Sequence, residues 1–244
     1  LKDSMNAGLD LLQLVIFTSS LDLSDKLALA RELSGIKSIT LKGEPTVFPL
    51  PESAPTDLPR IILNNQDESY TLNVAPARTD LFYKSKDFDE QGIPKIKLQD
   101  VEPQIIDGMI EISSSLRSKF SSRIHRAAIV MNYLVKLKQS SIEFLSNNFL
   151  KKNVIDNPYD IQLNFGNKKA IDGIKINEWV RFHTLRSKKN PEDDTAFMLI
   201  LDINSLVEVD YDFTESKLKN FFEQSFRLAN KEVKIFGGNK YKNG

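Results

Sequence analysis

The sequence contains no cysteine, which excludes disulfides, thiol nucleophiles and thiolate metal sites and is equally compatible with cytoplasm and periplasm. Histidine is scarce as well. His125 and His183 are the only two, so a histidine metal cluster would need both of them plus carboxylates from elsewhere, and each reads as a structural residue. Long apolar runs are also missing: Leu14 to Phe17 and Ala196 to Leu201 fall far short of the roughly 20 residues a membrane helix needs. The sequence therefore predicts a soluble chain with no membrane partner, and cytoplasm is the expected compartment. It begins at Leu1 without a basic-then-apolar leader, which reads as a processed or trimmed form with no intact targeting signal.

Net charge is the next absence. Thirty-three basic and thirty-three acidic residues cancel, so the whole molecule has no long-range attraction to nucleic acid or anionic membrane, and any such binding must be local. The ten glycines are scattered apart from Gly237 and Gly238, and there is no G-x-S-x-G, no G-x-x-x-x-G-K and no G-x-G-x-x-G. Common nucleotide and acyl-transfer chemistry is unsupported, and no cofactor is expected.

What is present is a pattern of strands and helices. In the central stretch Arg123 to Leu137, residues His125, Ala127, Ile129, Met131, Tyr133, Val135 and Leu137 share an apolar face at period two, opposite a mixed face. A helical repeat of Ile124, Ala128, Met131 and Val135 also runs through it; a long interior strand is the reading adopted, with Ile129, Met131 and Tyr133 buried against helices. Before it, Leu11 to Thr18 reads as a buried strand, Ser24 as the cap of a helix ending at Gly35, and Lys37 to Lys42 as a half-buried strand, a β-α-β opening. Arg60 to Asn64 and Tyr70 to Val74 form a hairpin, Thr79 to Lys84 a further strand, and Leu98 to Phe120 a long amphipathic helix. After it come a helix capped by Ser140, strands Tyr159 to Phe165 and Ile171 to Leu185 joined through Gly166, Asn167 and Lys168, the second bending at Gly173, then the strand Ala196 to Ile203 and a helix capped by Thr214.

The two halves, 1–122 and 123–244, read alike: strand, helix, several antiparallel strands, long helix. LVIFTSSLDLSDKLALARELSG parallels AIVMNYLVKLKQSSIEFLSNNFL, and RIILNNQDESYTLNV parallels DIQLNFGNKKAIDGIKI. The expected fold is α+β, an antiparallel sheet or sheets with helices packed on one side and a duplicated β-α-β(3–4)-α unit, as two halves or one continuous domain. In element order alone this resembles the saddle-like TATA-binding-protein and helix-grip folds, a likeness that transfers no function.

Three groups of residues are candidate sites. Five of the ten prolines fall between Gly43 and Pro59, and Pro45, Phe48, Pro49, Pro51, Pro55 and Pro59 form a rigid surface crossing or a partner-binding arm. Arg117, Lys119, Arg123 and Arg126, and a second group Lys231, Lys234, Lys240 and Lys242, can meet phosphates, though neither has interleaved aromatics. Asp202, Glu208, Asp210 and Asp212, the last three at period two, suit Mg²⁺ or Ca²⁺ or a solvated strand face; Val207 and Phe213 break the calcium-loop pattern. The leading expectation is a non-enzymatic module that binds a protein partner or assembles with itself. A nucleic-acid-binding protein and a metal-dependent enzyme are the alternatives.

Overall fold

The computed structural model describes residues 6–19, 21–51, 53–150, 158–186, 190 and 192–237, with side chains through residue 233. The first strand, β1 (Asn6–Thr18), is longer than its apolar run because its polar start still pairs with neighbours. Helix α1 (Lys26–Ser34) is capped by Asp25 rather than Ser24: the Asp25 carboxylate accepts the Ala28 N–H at 2.9 Å, where its charge also suits the helix dipole.

The strand expected at Lys37 to Lys42 does not form. Ile39 and Leu41 are buried as expected, but on an irregular segment in which Thr40 has φ 47°. The Glu111 carboxylate accepts the Lys37 N–H at 2.9 Å, so the backbone here is satisfied by a side chain instead of a neighbouring strand. The opening is thus β-α-loop.

A meander follows: β2 (Thr46–Val47), β3 (Ile61–Asn64), β4 (Tyr70–Val74) and β5 (Arg78–Lys84). Helix α2 (Leu98–Phe120) has the bounds its periodicity predicts. It stops where Ser121 turns left-handed, φ 50°, and the Ser122 N–H closes on the Leu116 carbonyl at 3.1 Å. The central stretch is a strand, β6 (Ile124–Lys136), followed by α3 (Ser141–Phe149), whose first turn is capped by the Ser140 hydroxyl.

The chain ends with β7 (Gln162–Ile171), β8 (Ile174–Leu185), β9 (Ala196–Ser205) and α4 (Glu215–Gly237). The expected turn at Gly166 to Lys168 lies instead inside β7, where those residues pair with Trp179, Glu178 and Asn177. Reversal occurs at Asp172 and Gly173, with φ of 45° and 80°. Two consecutive positive φ values make a two-residue hairpin turn whose twist matches the strands, and Asp-Gly adopts it at little cost.

The nine strands of the described residues form one antiparallel sheet in the order β2-β3-β4-β5-β1-β6-β9-β8-β7. At its centre Leu12, Leu14 and Ile16 of β1 stand opposite Met131, Ile129 and Ala127 of β6, all at 0% exposure. Ile129, Met131 and Tyr133 are buried as expected, with α4 packed against β6.

The helices gather on this face. The Tyr70 hydroxyl donates to Gln104 of α2 at 3.1 Å, Phe144 of α3 stacks on Phe197 with centroids 6.0 Å apart, and Lys169 of β7 reaches Glu232 of α4 at 3.5 Å. Leu29 and Leu33 of α1 join the same core. Among the described residues no helix covers the other face, and none is long and apolar enough to cross a membrane.

This register makes Ile129 a sharp test. Ile129→Asp puts a carboxylate among fully buried side chains and is expected to cost at least about 4 kcal/mol, a large part of a stability of about 5–15 kcal/mol. Lys136→Ala, on the open face, removes one half-exposed ion pair with Asp193 and should cost under about 1 kcal/mol. Urea unfolding of both variants checks this; an Ile129→Asp midpoint near that of the parent would contradict the register.

Candidate functional site

The basic and acidic groups singled out by sequence turn out to face one another. The Phe213 N–H donates to the Ile124 carbonyl at 3.1 Å, which brings the segment after β9 back to the start of β6. Arg123 there pairs with Asp210 at 2.9 Å, and Arg117 at the end of α2 lies 3.6 Å from Asp212. Lys119 pairs with Glu32 of α1. Asp202 pairs with Arg181 at 2.9 Å, and Glu208 is exposed.

The four carboxylates are therefore not brought together, and among the described residues no group of three or more His, Asp or Glu side chains is placed to hold a metal. The period-two spacing of Glu208, Asp210 and Asp212 fails as a strand pattern because β9 ends at Ser205 and the chain turns, with the Val209 N–H on the Leu206 carbonyl. Lys231 is exposed on α4; the Lys234 side chain and all of Lys240 and Lys242 lie outside the described residues.

The proline-rich segment lies along its own sheet edge. The Gly43 N–H donates to the Asn64 carbonyl at 2.8 Å, β2 pairs with β3, and the Phe48 N–H donates to the Arg60 carbonyl at 2.9 Å. Arg60, only 3% exposed, holds the return of the segment by donating to the carbonyls of Ala54 and Leu58, each at 3.1 Å. Phe48 and Pro59 are half-buried, while Pro45, Pro49, Pro51 and Pro55 remain exposed on the outer side.

A different surface is assembled by the sheet itself. Side chains alternate across each strand, so the register places Arg78 and Lys84 of β5, Arg126 and Lys136 of β6, Lys175 and Arg181 of β8 and Lys168 of β7 all on the helix-free face. Within the strands that face carries just two carboxylates, Asp80 and Asp202. Arg78 pairs with Asp80, Arg181 with Asp202, and Lys136 with Asp193 of the adjoining turn. Lys84, Arg126, Lys168 and Lys175 have no ion pair among the described residues.

Aromatic rings sit among these cations. The Arg126 guanidinium lies 4.5 Å from the centroid of Phe17, Arg78 lies 5.5 Å from the same ring, and Arg181 lies 5.8 Å from Trp179. Trp179, 38% exposed, lies over Gly166 of β7, where a Cβ would come within 2.7 Å of the indole. Arg126 also donates to the Ser205 carbonyl at 3.1 Å, and burial holds its guanidinium somewhat below the ordinary arginine range, with Asp202 and Glu208 countering.

Sequence reasoning picked out Arg126 but not its companions. Arg78, Lys84, Lys168, Lys175 and Arg181 are spread over more than one hundred positions of sequence, and the signal that carries them is the polar side of each period-two strand. Compared with protein-family models, curated proteins and solved structures, the chain matches none.

Asp193, at the rim of this face, gives a pH test. The Thr195 hydroxyl, then Lys136 and the Thr195 N–H, hold its carboxyl at about 2. A depressed carboxylate stabilises the fold fully above its unfolded value of about 3.9, and that contribution disappears as pH falls toward about 2. Asp193→Asn should therefore lower the urea midpoint slightly at neutral pH, with the gap to the parent closing between those two values. A gap that is constant across that range would contradict the assignment.

Proposed function

We propose that this protein is a non-enzymatic binding module whose helix-free sheet face takes single-stranded nucleic acid. The observation that carries the reading is charge segregation: a chain with no net charge presents seven cations and two carboxylates on the strands of that one face. Phe17 and Trp179, each beside an arginine, add the stacking surfaces missing from the linear basic clusters. An extended antiparallel face with cations along it and aromatic rings beside three of its arginines suits unpaired bases, which expose both a phosphate and a π face. The basic residues Arg117, Lys119 and Arg123, being paired with carboxylates, contribute less than Arg126.

A duplication of the chain fits the same reading. The sheet order runs β2-β3-β4-β5-β1 and then β6-β9-β8-β7, so that each half contributes a strand to the centre and further strands outward, four from the first half and three from the second. We take 1–122 and 123–244 as duplicates of one β-α-β3-α unit, joined edge to edge so that their uncovered faces become one continuous surface. The metal-dependent alternative loses support because its four carboxylates face separate cations or solvent.

The test is fluorescence anisotropy with labelled single-stranded and duplex oligonucleotides over a salt series. With four unpaired cations engaging phosphates, log K against log salt should fall with a slope of about −3 for a single strand. Replacing Lys168 and Lys175 by Glu should flatten that slope and weaken binding at least tenfold while leaving the unfolding midpoint nearly unchanged. No binding at low salt, or equal binding by the double variant, would overturn the reading.

A further inference from the structure

The two edges of the sheet are treated differently. One is closed by the proline-rich segment, whose residues from Gly43 to Phe48 bond to β3. The other, β7, runs for 10 residues with no strand beside it among the described residues. An open edge of this length is a template for pairing, and proteins commonly blunt such edges.

Which backbone groups are free follows from the hairpin. Its two-residue turn makes Ile171 and Ile174 a bonded pair, and the Thr184 N–H donates to the Ile161 carbonyl at 3.1 Å. Odd-numbered residues of β7 therefore bond to β8, and Gln162, Asn164, Gly166, Lys168 and Ala170 turn their N–H and C=O groups outward.

These groups are self-complementary. We infer that β7 pairs antiparallel with the β7 of a second copy of this chain, about a two-fold axis at Gly166. In that register Asn164 faces Lys168 and Gln162 faces Ala170, so no lysine meets a lysine. Parallel in-register pairing would instead set Lys168 against Lys168. Lys169 is already paired with Glu178 on the covered side and so does not guard the edge. Gly166, with no side chain, lets the two strands approach on the axis while Trp179 of each copy lies alongside, and the two open faces become one. This inference stands independently of the nucleic-acid reading.

Sedimentation velocity of the full chain over a wide concentration range, without nucleic acid, tests it. The parent should sediment as a dimer. Asn164→Pro removes an outward N–H that β8 does not use, and Asn164→Lys sets like charges opposite each other across the axis, so both should sediment as monomers with the near-ultraviolet circular dichroism of the parent. A monomeric parent overturns the inference, and so does a dimer that survives Asn164→Lys; if Asn164→Pro fails to fold, the lysine variant decides alone.

Discussion

Everything else in this protein depends on the pairing of β1 with β6. These strands, each 13 residues long, form the middle of the sheet, and their covered faces place Leu12, Leu14 and Ile16 against Met131, Ile129 and Ala127 with no exposure to solvent. A one-residue slip would turn every one of these side chains outward, so the apolar pattern fixes the register as well as the contact. Because β1 comes from the start of the chain and β6 from its middle, this single ladder also decides how the remaining strands are arranged: β5 can pair only on the outer side of β1 and β9 only on the outer side of β6.

The one-sided distribution of helices follows from the same ladder. Apolar side chains alternate onto one face in every central strand, and α1, α2, α3 and α4 all bury their stripes there. The other face carries the remaining half of each strand, where apolar residues such as Val130, Leu134, Met198 and Ile200 lie among seven cations and the carboxylates Asp80 and Asp202. A neutral composition thus hides a charged surface. The opposing charges lie elsewhere, several of them engaged near the ends of helices and strands or between helices, as in the pairs of Glu32 with Lys119, Asp210 with Arg123 and Asp107 with Lys219.

Local signals in the sequence carried much of the fold. The bounds of α2 follow from its amphipathic period, the β3–β4 hairpin from two alternating runs around polar residues, and the strand character of β6 from Ala127 to Val135. Three local readings failed because a competing interaction was overlooked: Asp25 caps α1 in place of Ser24, Asp172-Gly173 makes a better turn than Gly166 to Lys168, and Glu111 of α2 satisfies the backbone that would otherwise have made Lys37 to Lys42 a strand. The site was far less legible. Arg117, Arg123, Asp210 and Asp212 looked like two separate clusters until the contact of Phe213 with Ile124 set them against each other. The cations of the open face belong to four strands, and apart from the β7–β8 hairpin these come onto one face only through the long-range pairing of β1 with β6 and of β6 with β9, which no window of sequence displays.

Hydrogen–deuterium exchange resolved to individual segments tests the central place of the β1–β6 ladder most directly. The account predicts that amides of Leu12 to Ile16 and of Ala127 to Val135 are the slowest in the molecule and exchange together, at a rate set by global unfolding. If instead the segments 1–122 and 123–244 exchange as two independent units while β1 and β6 exchange early, the two halves do not depend on this ladder, and the account is wrong.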